Sequence, residues 1–157
     1  VLRGKAVQHA VEFLEKMPLK KAAYISLLQN HGVFLFNQKK YAEAEVPFKK
    51  ALQLRLQTME KKSPETVSIM QSLATCLVQQ KKWAEAEPTL KETFELRKSL
   101  QQTIQNDFWL TVNQLSTAYR FTQQFDKNTA LVVGFSDIVK LQKGADSKDY
   151  AMACVLV

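Results

Sequence analysis

The sequence predicts an all-α protein, a solenoid of antiparallel helix pairs. Three observations predict this fold class. A segment recurs with a period of 42 residues, which is typical of proteins that stack helical repeats. Apolar residues recur every three, four and seven positions, which is the spacing of a helix rather than of a strand. Only 4 Gly and 4 Pro occur in 157 residues, far fewer than an all-β fold needs for its turns.

The repeat is clearest between residues 38–55 and residues 80–97. Ten of these eighteen positions are identical without a gap, which chance does not produce. Each copy begins with Gln-Lys-Lys followed by an aromatic residue, Tyr41 or Trp83. A third copy is degenerate in residue identity, but it keeps the apolar spacing and has Phe125 where the period requires an aromatic residue. We therefore expect three full units.

Each unit is predicted to contain two helices. The first helix precedes the aromatic residue, and the second follows it in a segment rich in Ala and Glu, which both favour helices. Ser63 before Pro64 is typical of a helix start, and Asp126 and Ser147 are predicted to cap helices in the same way. The first helices are expected near 22–38, 64–81, 106–123 and 147–157, the second helices near 41–60, 84–103 and 126–143, and a helix of an earlier unit near 3–17.

These units are predicted to form a single solenoid domain. Because Val1 is not an initiator Met and no polar cap is visible at the C-terminus, we expect the sequence to be a fragment of a longer array. The predicted divisions are 1–21 for the second helix of a preceding repeat, 22–63 for repeat 1, 64–105 for repeat 2, 106–146 for the degenerate repeat 3 and 147–157 for the first helix of a fourth repeat.

The repeated phrases resemble those of tetratricopeptide repeats. The segments YAEAE at 41–45 and WAEAE at 83–87 are similar to the turn and second helix of that family. The 42-residue period, and the phrase SPETV at 63–67, resemble the kinesin light chain type. The resemblance covers nearly the whole chain. The third copy departs from it, because Ser116 and Asn128 stand where the other copies have Gly or Ala.

The resemblance implies a right-handed superhelix whose concave wall is lined by the first helices and binds a peptide. The groove positions of the family recur on one face of each first helix. Amide side chains there suit the backbone of an extended peptide, apolar ones supply pockets, and Arg120 can pair with a carboxylate. For any single residue, an ordinary solvated position or a helix contact is the open alternative. The implied peptide-binding residues are Gln29, Val33, Phe36, Asn37, Gln71, Thr75, Val78, Gln79, Asn113, Thr117, Arg120 and Phe121, beside Ser26, Ser68 and Leu110 on the same faces.

Two kinds of peptide ligand follow from the resemblance. Co-chaperones of this fold grip a C-terminal carboxylate with lysines and asparagines, but the matching positions here are Gln29, Val33, Gln71 and Thr75. That clamp is therefore rejected. Kinesin light chains bind peptides that carry an aromatic residue among acidic ones. A basic chain with one groove arginine is compatible with such an acidic partner.

The net charge of +7 leaves acidic partners open. The lysine pairs at 39–40, 61–62 and 81–82 fall at predicted turns, so the charge decorates edges rather than the groove. This favours a solvated edge over a binding strip. Nucleic-acid recognition requires basic residues interleaved with stacking aromatics on one face, and the aromatic residues here lie mostly at core spacings. A nucleic-acid partner is therefore disfavoured.

The sequence offers no support for catalysis. Four scattered glycines cannot form a phosphate-binding loop. His9 and His31 lack a second His or Cys at metal-ligand spacing, and His31 is predicted to be packed or partly buried because it replaces a core Leu. The recurring carboxylates Glu43, Glu45, Glu85 and Glu87 are interpreted as helix-surface charges favoured by the helix dipole. We expect no enzyme activity, no metal and no cofactor.

The cysteines suggest a compartment. Cys76 and Cys154 cannot build a disulfide framework, and reduced, buried thiols are typical of cytosolic proteins. No targeting segment is visible, and no apolar run is long enough to span a membrane. We therefore expect a cytoplasmic protein without membrane insertion.

Two functions from different classes follow. The leading hypothesis is a non-enzymatic scaffold or adaptor that binds a peptide segment of a partner protein in its concave groove. The alternative is a self-associating repeat module, a homo-oligomer that stacks through uncapped ends such as the apolar residues 155–157.

Overall fold

The structure is a computed structural model that describes residues 9–10, 21–57, 62–101 and 106–155. Within these residues it consists of α-helices joined by turns, which confirms the predicted all-α solenoid class of helix pairs. The chain forms two compact units, residues 1–80 and 81–157. The first unit contains α1 (Lys21–Asn37), α2 (Tyr41–Leu56) and α3 (Pro64–Gln79), and the second contains α4 (Trp83–Ser99), α5 (Asn106–Phe121), α6 (Phe125–Lys143) and α7 (Lys148–Val155).

The division into units differs from the division into repeats. The boundary falls after Gln80, inside the predicted repeat 2, so the predicted repeat boundaries stay a prediction. In each unit, helices that follow one another along the chain pack against each other. Apart from residues 9–10, which are helical, the helix predicted near 3–17 lies outside the described residues. So do the predicted helix ends at 58–60, 102–103 and 156–157.

Three turns end the first helices earlier than predicted, α1 by one residue and α3 and α5 by two. Lys39, Lys81 and Gln123 have φ values of 62°, 58° and 59°, so a left-handed residue stops each helix at the same repeat position. In the first turn, the Lys40 N–H donates to the Leu35 carbonyl at 3.1 Å. This bond satisfies a carbonyl that the ended helix leaves without an intrahelical partner.

Two of the second helices, α4 and α2, also end early, whereas α6 ends at Lys143 as predicted. Helix α4 was expected to reach 103 but ends at Ser99, and Leu100 and Gln101 form a turn. Gln101 has a φ of 49°, which a helix cannot contain. Helix α2 ends at Leu56.

The core of the first unit lies between α1, α2 and α3. Tyr24, Ile25 and Leu28 of α1 pack with Ala51 of α2 and Ile69 of α3, and all five are buried. Their transfer from water is the main source of stability for such a unit.

A glycine fixes how closely α1 and α2 approach each other. A Cβ atom added to Gly32 would lie 2.7 Å from the ring of Phe48, which is itself buried. Packing between α1 and α2 therefore requires a residue as small as Gly32 at this position of the repeat.

The junction between α2 and α3 is polar. The Thr66 N–H donates to the Ser63 Oγ at 3.2 Å, which confirms Ser63 as the N-cap, and Pro64 occupies the first helical position. Arg55, in the last turn of α2, donates to Ser63 Oγ at 3.1 Å and to Glu65 Oε2 at 3.0 Å. The end of α2 is thus tied to the start of α3.

The core of the second unit contains a row of three phenylalanines. Phe108 of α5 lies between Phe94 of α4 and Phe135 of α6, with ring centroids 5.8 Å and 5.5 Å apart. Trp109 meets Phe135 edge-on at 4.8 Å. Tilted and edge-on contacts of this kind suit the quadrupoles of aromatic rings. They link three consecutive helices.

Of the two caps predicted for the last two helices, one is confirmed and the other is wrong. The Tyr150 N–H donates to the Ser147 Oγ at 3.1 Å, which confirms Ser147 as a cap. The prediction for Asp126 is wrong, because α6 begins at Phe125 and its N-cap is Gln124. Asp126 instead lies in the first turn, where its negative charge is favoured by the helix dipole.

Candidate peptide-binding surfaces

The exposed face of α1 carries four of the implied peptide-binding residues. Val33 is 47% exposed and Asn37 is exposed, whereas Gln29 and Phe36 are half-buried. The Phe36 ring meets Tyr41 edge-on at 5.1 Å, so part of it fills the turn between α1 and α2. Val33 and Asn37 are therefore the members that solvent reaches most easily on this helix.

On α3, two of the implied peptide-binding residues, Gln71 and Thr75, bond each other within the helix. Gln71 is buried, and its amide donates to Thr75 Oγ1 at 3.4 Å. The Thr75 hydroxyl in turn donates to the Gln71 carbonyl at 2.8 Å. Val78 is half-buried and Gln79 is exposed. The equal spacing of the repeats assigns these residues to α3, but it does not predict that Gln71 is buried.

Helix α5 presents the most accessible of the three faces. Asn113 and Arg120 are exposed, Phe121 is 64% exposed, and Leu110 is 40% exposed. Thr117 is half-buried, and its hydroxyl donates to a carbonyl of its own helix. The four exposed residues are spaced at i, i+3, i+10 and i+11, so they lie along one side of α5. The face combines apolar side chains with an amide and a guanidinium.

The contact that positions Phe121 was not predicted from the sequence. Its ring stacks on Trp83 with centroids 4.6 Å apart and planes only 2° from parallel. From the sequence, Trp83 was identified only as the aromatic residue that follows Gln-Lys-Lys in the second copy of the repeat. The signal that was available is the residue type, because the first two repeats have Asn37 and Gln79 at the position of Phe121. The stack holds an exposed ring in place.

The acidic residues near the starts of the second helices are less exposed than predicted. Glu45 is buried, and its Oε2 accepts from Gln80 Nε2 at 2.9 Å. In the second unit, Glu87 is half-buried and accepts from the amide of Gln124. The interpretation of Glu45 and Glu87 as helix-surface charges is therefore wrong. Each carboxylate instead accepts a hydrogen bond from the amide of a glutamine later in the chain, Gln80 or Gln124.

The described residues include a buried thiol, Cys76, and a half-buried imidazole, His31. Among residues 9–10, 21–57, 62–101 and 106–155, no group of three His, Cys, Asp or Glu side chains could hold a metal ion. Burial raises the pKa of the Cys76 thiol to about 12, with a smaller contribution from the charge of Glu45. Because the thiolate is the reactive form, Cys76 is unreactive near neutral pH. His31 is half-buried, and its desolvation lowers its pKa.

Comparison with known proteins identifies the repeat and the fold. Residues 24–99 match the pattern of the tetratricopeptide repeat family. This span consists of tetratricopeptide repeats. The predicted resemblance to the kinesin light chain type is confirmed at the level of the fold by two solved structures. No protein of curated function matches the chain.

Two solved structures show the same fold as these tetratricopeptide repeats. The TPR-like repeats assigned to a kinesin light chain of Podosopora anserina match with a TM-score of 0.79 and 11% identity, over 96% of this chain and 71% of that one. BtubC (BKLC) of P. vanneervenii matches with a TM-score of 0.63 and 13% identity, over 95% of this chain and 59% of that one. At these identities the likeness concerns the fold alone.

Tetratricopeptide repeats such as those at residues 24–99 serve in general as protein-interaction scaffolds. None of the helices in the described residues is long and apolar enough to cross a membrane.

Proposed function

We propose that the chain is an adaptor that binds an extended peptide segment of a partner protein on the exposed faces of its first helices. The observation that carries the proposal is the face of α5, where Leu110 and Phe121 are exposed on either side of Asn113 and Arg120. Large apolar side chains left in solvent beside convergent polar groups are typical of binding surfaces.

Each group on this face has a part in binding. The Asn113 amide both donates and accepts, so it suits the alternating N–H and C=O groups of an extended backbone. Arg120 carries a permanent positive charge and can bind a carboxylate with two parallel hydrogen bonds. The exposed face of the Phe121 ring, held by Trp83, offers an apolar contact. The preferred partner is therefore an acidic peptide with at least one large apolar side chain.

The faces of α1 and α3 support the same function in the first unit. Val33 and Asn37 repeat the combination of an apolar side chain and an amide. Gln79 adds an exposed amide on α3. Gln71 and Thr75 contribute less, because their side chains already bond each other. The remaining implied residues, Gln29, Phe36, Val78 and Thr117, are half-buried and would form the floor of the contacts.

Affinity capture tests this proposal. The chain and its Asn113→Ala/Arg120→Ala variant are used side by side as bait, and the peptides lost with the variant are mapped, synthesised and titrated by calorimetry. We expect roughly a tenfold or greater loss of affinity in the variant. The matched control is Lys91→Ala/Thr129→Ala, which removes one cation and one polar side chain at exposed positions of α4 and α6. Equal affinity for both variants would remove the proposal.

Self-association is the second candidate function, and one observation favours it. On α7, the last helix of the structure, Met152 is 51% exposed and Ala151 is exposed. A second copy could cover this face. Sedimentation across a concentration series tests it: Met152→Glu should lower the association constant, and a chain that stays monomeric at every concentration excludes the function.

A cytoplasmic location is part of the proposed adaptor function. It rests on the free, buried Cys76 thiol, because reduced, buried thiols are typical of cytosolic proteins. Fluorescence microscopy of the tagged protein in fixed cells tests it.

A further inference from the structure

The second unit contains a cleft between the C-terminal halves of α4 and α6. Its volume is about 560 Å³, which lies within the usual range of ligand-binding pockets. Arg97 and Lys98 line it from α4, Phe108 from the start of α5, and Ile138 and Leu141 from α6, together with two glutamines. We call it the α4–α6 cleft. None of the twelve implied peptide-binding residues lines it.

The cleft is apolar at its base and along one wall. Phe108 is buried and Ile138 is half-buried, so both are held in place by the surrounding core. Leu141, in contrast, is 86% exposed at the rim. Covering a large apolar side chain in this position is favourable, because it removes apolar surface from water. A ligand that brings its own apolar group would cover it.

The lining of the cleft also carries two positive charges. Residues 81–157 contain 10 Lys and Arg against 9 Asp and Glu, so the second unit as a whole is nearly neutral. The described residues that line the cleft nevertheless include two cations and no acid. The end of α4 contributes a negative partial charge of about half a unit, which is smaller than the full charges of Arg97 and Lys98.

The two cations differ in how firmly they are held. Arg97 is only 7% exposed, its Nε donates to Thr111 Oγ1 at 3.1 Å, and its guanidinium lies 5.9 Å from the centre of the Phe108 ring. Lys98 pairs with Glu95 of its own helix at 3.1 Å, but both side chains are about half exposed. Exposed pairs of this kind are weak, so Lys98 can turn toward an anion.

From these features we infer that the α4–α6 cleft is a second binding site, which takes a short peptide segment of a partner protein with a large apolar side chain beside an Asp or Glu. The apolar side chain enters between Ile138 and Leu141, above Phe108. The carboxylate meets Lys98 at the rim, within the field of Arg97. The amides of Gln101 and Gln142 are suited to the peptide backbone. This site is separate from the proposed site on the first helices.

A labelled peptide tests the inference directly. The probe is a fluorescein-labelled octapeptide, Gly-Ser-Glu-Phe-Glu-Leu-Ser-Gly, titrated with the whole chain and followed by fluorescence anisotropy. One control peptide has Lys in place of Glu, and a second has Ala in place of Phe and Leu. We expect the probe to bind roughly tenfold more tightly than either control. Equal binding of the three peptides would overturn the inference.

Variants then locate the binding. Leu141→Glu and Lys98→Glu each put a negative charge at the cleft, and both positions are exposed, so the fold tolerates them. Each should weaken binding of the probe by roughly tenfold. Val133→Glu is the matched control, because Val133 is exposed on α6 but does not line the cleft. If it weakens binding as much as Leu141→Glu does, the cleft is not the site.

The same titration separates this site from the proposed groove. The Asn113→Ala/Arg120→Ala variant lacks the groups proposed to bind peptide on the face of α5, so whatever binding of the probe it keeps should still be weakened roughly tenfold when Leu141→Glu is added. If it loses the probe while Leu141→Glu keeps it, the peptide binds the face of α5, and the cleft proposal is overturned while the proposed function is supported.

Discussion

The two units differ at the junction between a second helix and the first helix that follows it. Both have an arginine at the same repeat position there, but its contacts are different. In the first unit, Arg55 bonds the N-cap Ser63 and an exposed carboxylate, Glu65. In the second unit, its repeat counterpart Arg97 is buried against Thr111 and the ring of Phe108. Burial lowers the Arg97 pKa, and nearby Asp107 opposes that shift. One junction is a polar cap, and the other is an aromatic core.

The residue that decides the difference is 11 positions after each arginine. It is Thr66 in the first unit and Phe108 in the second, and both are about 1% exposed. Thr66 Oγ1 lies 3.2 Å from Ser63 Oγ and extends the cap. Phe108 instead joins the row of phenylalanines. The repeat thus conserves the arginine while its surroundings change from hydrogen bonds to apolar contacts.

Replacing the aromatic residue should give the largest effect. Phe108→Ala removes a buried ring from between two others, and we expect it to lower the free energy of unfolding by about 3–5 kcal/mol. Thr66→Ala, at the matching position, loses a hydroxyl in a hydrogen-bonded cap and should cost about 1 kcal/mol. Urea unfolding followed by far-UV circular dichroism measures both.

Tryptophan fluorescence adds a control for that comparison. Both tryptophans, Trp83 and Trp109, lie in the second unit, so their signal reports on that unit. Phe108→Ala should shift the fluorescence transition to lower urea. If Thr66→Ala costs as much as Phe108→Ala, the proposed contrast between the two junctions is wrong.

A helical glycine in the first unit should give the next largest effect. Gly32→Ala places a methyl group 2.7 Å from the buried ring of Phe48, and this ring cannot move without disturbing the core. We expect a loss of about 1–3 kcal/mol in the free energy of unfolding, although Ala has the better helix propensity. Thermal and urea unfolding measure it, and the double variant Gly32→Ala/Phe48→Leu should recover part of the loss. A stabilised single variant would show that α1 and α2 can separate freely.

The second unit contains a polar residue whose removal should help. Among the residues that the structure describes, Asn128 has a buried Oδ1 atom without a hydrogen-bond partner, at a position where the other repeats have the buried Ala44 and Ala86. An unpaired buried acceptor costs about 1–3 kcal/mol. Asn128→Ala should therefore raise the free energy of unfolding by about 1–2 kcal/mol. Ala86→Asn is the reciprocal control and should destabilise the chain; if Asn128→Ala destabilises it instead, the amide has a structural role.

The sequence period predicted the type and order of the described helices, because the apolar spacing is repeated with each copy. It did not predict where the first helices end, since Lys39, Lys81 and Gln123 carry no residue-type signal for a positive φ. The period also places Gln71 and Asn113 at equivalent positions, yet one is buried and the other exposed. Burial depends on neighbouring helices, which a single-sequence period does not describe.

The cleft was beyond sequence reasoning for a similar reason. Arg97, Phe108 and Leu141 are far apart in sequence and belong to three different helices. Their meeting depends on how α4, α5 and α6 pack. The twelve residues carried over from the family resemblance stay a prediction. On α5, apolar and polar members of this set are exposed together.

The smallest expected effect comes from the second helical glycine, and its sign is opposite to that of Gly32. Gly134 lies inside α6, is exposed, and has no atom within 4 Å of where a Cβ would be. Gly134→Ala adds no clash and restricts the unfolded chain, so it should raise the free energy of unfolding by about 0.5–1 kcal/mol. Urea unfolding followed by tryptophan fluorescence measures it. Gly32 and Gly134 are the same residue type in helices of similar length. If replacement by Ala changes the free energy of unfolding with opposite signs at the two positions, close helix packing requires glycine at 32 but not at 134. Destabilisation by Gly134→Ala would instead mean that another molecule, such as a second copy, packs closely on this face of α6.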